Sequence, residues 1–398
     1  MTHLEVGAGL RSLAVAFPSA LRTNDDIRSR HAQMVAQAEQ YSLAKLWGTC
    51  GANAEPSAFD AAMAPYLSDP FRGAVERRLR APGEPALAME LAAARGALDA
   101  AGLSPSDVDL MLVSSFVADR LGVGNAAFLA KELRLGAPAW NFETACSGSL
   151  VGLHMAASLI ASGQYRRVLV VVSTSNSVQV KDDDTLGWFV GDGSGAFVVE
   201  PQKPGLGVLG WKIINSVETN DMFVIHSVSE ACGTRLCTSA NENASRMARD
   251  TSEPYLRACV EGALAMASMT VRDVDFWVFN TPNAWYADFC ARVLGVERTG
   301  TPRYSSVYPR YANIGAALMP ATLYHALHEG RVRPGAVVGL YSVGSTSTAS
   351  ALIMRMGDVS LGPYPSRPSR PSRPSRPSRP DAPSSPSHEY APRGEAIV

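Results

Sequence analysis

The stretch that decides the fold is Asn-Phe-Glu-Thr-Ala-Cys-Ser-Gly-Ser-Leu, residues 141–150. Its centre, Ala145-Cys146-Ser147-Gly148, resembles Ala312-Asn313-Ile314-Gly315 in the second half of the chain. In both places a long run of small and apolar residues follows the tetrapeptide. Such a run predicts a helix buried on all sides. The two tetrapeptides therefore mark the beginnings of two buried helices.

Other landmarks repeat in the same order along the chain. Asp107-Val108-Asp109 and Asp273-Val274-Asp275 each open an apolar run, and the two predicted helices end at Gly163 and Gly330. A repeated series of landmarks indicates two copies of one unit. Each copy reads strand, helix, strand, which predicts parallel strands, right-handed crossovers and helices outside. In such a duplicate the two helix starts are equivalent and converge on one central site.

The chain divides into two halves with two additions. We expect an N-terminal half at residues 1–203 and a C-terminal half at residues 204–358. Residues 25–80 are rich in charge and have no counterpart in the second half, which predicts an inserted lid or dimer-side cap. The triplet Pro-Ser-Arg repeats over residues 365–379, a composition that cannot bury enough surface to fold. Residues 359–398 are therefore predicted to be a disordered tail, either a solvated spacer or a cationic arm for an acidic partner such as a carrier protein.

Composition excludes several classes of function. The chain has 398 residues, 46% of them hydrophobic, which suffices for a large core or two fused ones. A net charge of −1 argues against nucleic-acid binding by the whole chain. We find no signal peptide, no apolar stretch long enough for a membrane span and no cysteine spacing typical of a zinc site. The expectation is a soluble cytoplasmic protein with reduced thiols and neither metal nor cofactor.

Cys146 is the candidate nucleophile. A thiol at a helix N-terminus experiences the macrodipole and unpaired backbone N–H groups, and both favour the thiolate. The same N–H groups are placed to receive an oxyanion when the thiolate attacks an acyl group. The alternative is an inert buried cysteine. Asn313, at the equivalent position, is either a helix cap or a member of the same site.

Four motifs resemble the thiolase-like condensing enzymes, and most closely the β-ketoacyl-acyl-carrier-protein synthase III branch. They lie at residues 143–148, 161–171, 191–196 and 311–317. The resemblance implies a duplicated α/β/α/β/α five-layered fold and a homodimer. It also implies that Cys146 takes an acyl group from an acyl-carrier-protein or coenzyme A thioester.

The sequence departs from this family at one position of the site. Decarboxylating members carry Cys, His and Asn, and the position of the His falls here on Asn280, whereas the Asn is retained as Asn313. A neutral carboxamide donates hydrogen bonds but takes no proton at pH 7. This substitution argues against malonyl decarboxylation. By resemblance the second oxyanion N–H comes from the loop that begins Gly344-Ser345, with the donor near Ser345.

His226 is the candidate replacement base, since some divergent synthase III-like proteins supply the base from this later segment and transfer acyl groups. The alternative is a structural or tunnel-lining histidine. The predicted mechanism is attack of Cys146 on an acyl thioester, followed by deprotonation of an acceptor hydroxyl or amine by His226. Three functions are weighed. The first is an acyltransferase of specialised metabolism that uses a small acceptor or another carrier. The second is a synthase III that forms carbon–carbon bonds, with His226 or Asn280 in place of the missing histidine, and the third is a non-catalytic partner subunit.

Overall fold

The computed structural model describes residues 7–47, 57–120, 122–181, 184–230, 233–296, 303–344 and 348–366. The strands are β1 (Gly7–Ala16), β2 (Ala20–Thr23), β3 (Glu76–Leu79), β4 (Leu110–Phe116), β5 (Ala139–Asn141), β6 (Val168–Ser175), β7 (Asp192–Gln202), β8 (Gly207–Asn215), β9 (Phe223–Glu230), β10 (Gly233–Ala240), β11 (Phe276–Phe279), β12 (Tyr304–Ser305), β13 (Val337–Gly344), β14 (Thr348–Arg355) and β15 (Ser360–Leu361). The α-helices are α1 (Asn24–Arg30), α2 (Ala32–Trp47), α3 (Ala58–Met63), α4 (Ala86–Ala101), α5 (Ala126–Leu133), α6 (Gly148–Ala161), α7 (Ala244–Ala267), α8 (Tyr286–Val293), α9 (Tyr308–Tyr311) and α10 (Leu318–His328).

Two sheets repeat one strand order. The first runs β15-β1-β7-β6-β4-β5 and the second runs β12-β11-β13-β14-β8. Apart from β15, the order β1-β7-β6-β4-β5 therefore matches β8-β14-β13-β11-β12 strand for strand. In each sheet the strand–helix–strand crossover joins parallel strands, β4 to β6 and β11 to β13, as predicted. On one side of these pairs, β5 and β12 are also parallel. On the other side, β7 and β1 in the first sheet and β14 and β8 in the second pair antiparallel, a feature that the crossover pattern does not reveal.

The valine-rich strand β6 shows why the sheets are buried on both faces. Val168, Val170 and Val172 pack into the core between the two sheets, whereas Leu169 and Val171 pack on the opposite face. Successive side chains of a strand point to opposite faces, so an unbroken apolar run requires cover on both. The strand therefore lies between two layers of helices.

Five layers result from this arrangement. Helices α6 and α10 lie between the sheets, and the central core contains side chains from both of them and from both sheets. Helices α4 and α5 cover the outer face of the first sheet, and α7 and α8 cover that of the second. The duplicated α/β/α/β/α fold is confirmed. No helix in the described segments is both long and apolar enough to cross a membrane.

The charge-rich insertion packs on both halves. Ile27 and Phe71 join a small core with Trp188 and Tyr308, which flank the Asn313 turn. Phe59 packs against α8 of the second half, where its ring lies 4.5 Å from that of Trp285. The insertion therefore covers the junction of the two halves, and its role as a lid or dimer-side cap stays a prediction.

The beginning of the C-terminal tail is ordered, contrary to the prediction that disorder starts at residue 359. Strand β15 pairs with β1, and the Gly362 N–H donates to Leu13 O at 2.9 Å. Tyr364 packs its ring 4.7 Å from that of His328 on α10. The sequence prediction failed because these residues complete a sheet edge made by the other end of the chain. The Pro-Ser-Arg repeats from residue 367 onward lie outside the described residues.

Candidate active site

Cys146 lies in a 3₁₀ turn, Ala145–Ser147, that leads directly into α6. The preceding residue, Ala145, has a φ of 51°, in the left-handed region that residues with a Cβ rarely occupy. Ala312, directly before Asn313, has a φ of 55°. Strained backbone persists only where the surrounding structure holds it. The surrounding structure therefore imposes the conformation of both turns. The repeat noticed in the sequence thus extends to the backbone of the site.

The carbonyl oxygen of Cys146 is held by two side chains of the C-terminal half. Asn280 donates to it from Nδ2 at 2.8 Å, and Ser342 donates from Oγ at 2.8 Å. The Asn280 Nδ2 also donates to Gly315 O at 2.9 Å. Asn280 follows the last residue of β11 and is 3% exposed. Its carboxamide therefore joins the Cys146 turn to the Asn313 turn, and both of its N–H groups are used.

The Asn313 side chain bonds the backbone at the start of the turn that leads into α10, and its role in the site stays a prediction. The helical turn begins at Gly315 rather than at Asn313, and the Asn313 Oδ1 accepts a hydrogen bond from the Gly315 N–H at 2.9 Å. This is an Asx turn, whose side chain satisfies a backbone donor ahead of the helix. Cys146, by contrast, lies inside its own 3₁₀ turn. The two positions match along the chain but not in their place relative to the helix start.

The backbone of Asn313 is held by a neighbouring loop. Its N–H donates to Phe189 O and its carbonyl accepts from the Gly191 N–H, each at 3.0 Å. Asn176 adds a third bond from Nδ2 to Asn313 O at 3.0 Å. A Cβ at residue 191 would lie 2.3 Å from Tyr311 O, so only glycine fits this close approach. The glycine-rich segment at residues 191–196 thus packs on the Asn313 turn through its first residue.

Gly344 packs directly on the cysteine turn from the end of β13. A Cβ at this position would lie 2.3 Å from Thr144 O and 3.0 Å from Ser147 Oγ. The Gly344 carbonyl in turn accepts a hydrogen bond from Ser216 Oγ at 3.0 Å. The loop that follows β13 therefore starts beside Cys146. Ser345 lies outside the described residues, so its oxyanion role stays a prediction.

The ionisation of Cys146 corrects an expectation from the sequence. Burial raises the pKa of the thiol to about 12, and the nearby Glu143 carboxyl adds to the rise, while the Cys146 backbone N–H acts in the opposite direction. The loss of hydration outweighs the backbone hydrogen bond that favours the thiolate. The helix start therefore does not by itself produce a thiolate, although it holds the sulfur beside backbone donors.

Glu143 is a site residue that the sequence analysis missed. Its Oε1 accepts a hydrogen bond from the Ala145 N–H at 2.6 Å, and Ser114 donates from Oγ to its Oε2 at 3.5 Å. The side chain is exposed in the single chain, yet the surrounding protein desolvates it and raises its pKa to about 7. The signal was present as an acidic residue three positions before the cysteine.

His226 is not brought to Cys146 by any described contact. It lies in β9 opposite Cys237 of β10, in a two-stranded hairpin separate from the two large sheets. The residue is exposed, and its ring makes no hydrogen bond to a described residue. The hairpin is attached to the first half where Thr238 bonds Gln179 through backbone and side chain. The predicted role of His226 as a base stays a prediction.

Comparison with known proteins agrees with this arrangement. Residues 141–216 match the family described as 3-oxoacyl-[acyl-carrier-protein] synthase III, and residues 264–356 match its C-terminal part. The β-ketoacyl-[acyl-carrier-protein] synthase III of Symbiobacterium thermophilum is 31% identical over 298 residues, which cover 72% of this chain and 88% of the relative.

Solved structures share the fold at lower sequence identity. The 3-oxoacyl-(acyl carrier protein) synthase III of Pseudomonas aeruginosa is 20% identical, with a TM-score of 0.72 over 88% of this chain and 99% of that one. A priming β-ketosynthase from a polyketide biosynthetic pathway is 22% identical, with a TM-score of 0.70 over 88% of this chain and 97% of that one. The fold thus defines a protein of the thiolase-like class. Within this class, the chain belongs to the 3-oxoacyl-[acyl-carrier-protein] synthase III family.

Proposed function

We propose that the protein is an acyltransferase that forms an acyl-Cys146 intermediate and passes the acyl group to a small hydroxyl or amine acceptor, or to another carrier, in specialised metabolism. The proposed donor is an acyl-carrier-protein or coenzyme A thioester, and the names of its relatives include the acyl carrier protein. The protein acts as a homodimer, by analogy with the family.

The observation that carries this proposal is the hydrogen bonding of Asn280. Decarboxylation of a malonyl group requires a side chain that stabilises the developing enolate beside the acyl-cysteine. Asn280 occupies the end of β11, but both of its N–H groups bind backbone carbonyls at 2.8 and 2.9 Å. It has no remaining donor for a malonyl carbonyl, and it cannot accept a proton. We therefore propose that the acyl group of the acyl-enzyme is transferred to a nucleophile that forms without decarboxylation.

Transfer to an acceptor requires a base, and we propose His226 for this step. The neutral imidazole ring has one nitrogen that can accept a proton from a hydroxyl or amine. Since His226 lies on an exposed hairpin, transfer requires that the hairpin approach the acyl group when the acceptor binds. Asn313 and the loop after Gly344 are proposed to support the acyl carbonyl.

Carbon–carbon bond formation is the second candidate, because the curated relatives are named as β-ketoacyl-[acyl-carrier-protein] synthases. The two functions share acyl-Cys146 and differ in the fate of the acyl group. Incubation with acyl-coenzyme A and malonyl carrier protein distinguishes them. Acyltransfer predicts a stable acyl adduct on Cys146 by intact mass and no carbon dioxide, whereas stoichiometric carbon dioxide would establish the condensation. The same adduct on a Cys146→Ala variant would contradict both.

A further inference from the structure

Formation of acyl-Cys146 requires that the Cys146 thiol lose its proton to another group. With the thiol pKa raised to about 12, almost no thiolate exists at neutral pH. A group near the sulfur must therefore remove the proton as the thiol attacks. The strand-end histidine of the family is absent, and Asn280 has neither a basic atom nor a free donor.

The described contacts of the cysteine turn supply one basic group. Asn280 and Ser342 bind the Cys146 carbonyl, and Asn313 binds the Gly315 N–H, but none of these side chains takes a proton at neutral pH. Glu143 lies two residues before this turn, its carboxyl binds the Ala145 N–H inside it, and its charge acts on the Cys146 thiol. Among the described side chains that bind this turn, its carboxylate is the one general base.

The position of the Glu143 carboxylate is well defined. The Ala145 N–H binds Oε1 at 2.6 Å, which holds the carboxylate against the residue that directly precedes the cysteine. The Ser114 hydroxyl approaches Oε2 from β4 at 3.5 Å. No charged side chain in the described segments contributes to the ionisation of Glu143, whose environment consists of the Thr144 and Ala145 backbone and this hydroxyl. Within the described segments no cation pairs with the carboxylate, which is therefore available to a proton.

We propose that the Glu143 carboxylate accepts the proton of the Cys146 thiol during acylation and returns it to the leaving thiol. The inference rests on the proposed acyl-Cys146 intermediate. The S–H bond breaks and an O–H bond forms on Glu143 as sulfur bonds to the thioester carbonyl carbon. When the donor's C–S bond breaks, its sulfur takes the proton from Glu143. The products are acyl-Cys146, a free thiol and the regenerated carboxylate.

A base that titrates near neutrality suits this role, because both its forms are populated at the working pH. The Glu143 pKa of about 7 meets this condition. Acylation requires the carboxylate, so its rate is expected to rise with pH through about 7 and then level off. Loss of the carboxylate is expected to slow acylation by about 10²-fold or more, the usual contribution of a general base.

Two measurements on Glu143→Gln test the proposal, with Glu132→Gln as the control for loss of an exposed carboxylate on α5. The first is the rate of acyl-Cys146 formation from a series of acyl-coenzyme A donors, followed by intact mass across neutral pH. The second is alkylation of Cys146 by iodoacetamide at alkaline pH, which reports the thiolate and needs no acyl chemistry. Removing a negative charge lowers the thiol pKa, so alkylation is expected to become faster while acylation becomes slower.

Opposite changes in the two rates support the proposal, whereas a structural role moves both in the same direction. Acylation at the wild-type rate, or alkylation that is unchanged or slower, overturns it. Glu143→Asp keeps a carboxylate and is expected to show intermediate acylation with the neutral pH limb retained. If Glu143→Gln does not fold, the pH profile of the wild-type protein provides the test. An acylation rate of the wild type that does not rise through neutral pH overturns the proposal. If no donor acylates the wild type, the proposed function fails, and alkylation still decides whether Glu143 controls the thiol.

Discussion

Asn280 and Cys146, which lie in opposite halves of the chain, are joined by a hydrogen bond of 2.8 Å from the Asn280 carboxamide to the Cys146 carbonyl. The other N–H of the carboxamide binds Gly315 O, two residues after Asn313. The Asn280 carboxamide thus holds the two turns together and has a structural role in this position.

Asn280→Ala is expected to lower the free energy of unfolding by about 2 kcal/mol, because two buried carbonyls each lose a hydrogen bond. The Cys146 carbonyl keeps its bond from Ser342, so we expect slower acylation rather than none. Chemical denaturation measures the stability. Gln164→Ala, which removes an exposed carboxamide, is the control and should change it little. Equal stabilities for wild type and Asn280→Ala would contradict the structural role.

Gly344→Ala is expected to disturb the site through a steric clash. The new Cβ would lie 2.3 Å from Thr144 O, so the cysteine turn or β13 must move, at a cost of about 1–3 kcal/mol. Gly136→Ala is the matched control, since its Cβ would meet no heavy atom within 4 Å. Melting temperatures and acylation rates of the two variants measure the effect. A Gly344→Ala protein as stable and active as the control would show that the turn has room.

Glu90 is predicted to give the protein a stability that declines as pH rises. Its carboxyl group is fully buried in the first half, where it accepts hydrogen bonds from Ser115, Ser173 and Asn125, and burial raises its pKa. The folded state therefore binds a proton more tightly than the unfolded state. Stability from this group is complete below the unfolded pKa and is lost as pH rises from there through the raised folded pKa.

The pH dependence of the melting temperature tests this prediction. Glu90→Gln cannot ionise, so the difference between wild type and variant isolates the Glu90 contribution from the other carboxyls with raised pKa values, Glu143 and Asp192. We expect the stability of wild type relative to the variant to fall as pH increases. A difference that stays constant across that range would refute the linkage.

His226→Ala is expected to slow transfer of the acyl group to the acceptor, whereas Glu143→Gln is expected to slow acylation of Cys146. The thiol proton goes to Glu143, so acylation should stay within about twofold of wild type, while transfer to an acceptor slows by about 10²-fold or more. The acyl-enzyme should then accumulate, which intact mass detects directly. His328→Ala, on α10, is the control histidine. Unchanged transfer would show that the exposed hairpin serves another purpose.

Removal of residues 367–398 is expected to preserve the fold, because β15 and the contacts up to Ser366 remain. Arg78 donates to Ser366 O at 3.3 Å, and Tyr364 packs on α10, so truncation before these residues should lower the melting temperature. If the arginines attract an acidic carrier protein, truncation after Ser366 weakens use of carrier-bound donors at low salt but not at high salt. Equal carrier use at both salt concentrations would leave the tail as a spacer.

The sequence by itself determined the duplication, because repeated strand and helix patterns depend on residues that are close along the chain. It likewise located Cys146 and Asn313 at corresponding points of the repeat and placed Asn280 directly after a strand. The sequence did not predict the antiparallel pairing of β1 and β7 or of β8 and β14, nor the docking of β15 on β1. These pairings join distant segments, and no local pattern specifies them.

Only the tertiary structure decided the chemistry of the site. The pKa of Cys146 is raised by the loss of water around the thiol and by the Glu143 charge, neither of which the sequence prediction included. The use of both Asn280 N–H groups depends on carbonyls from two distant turns. Desolvation, charge interaction and hydrogen bonding act through space, so they are settled only when the two halves have packed together.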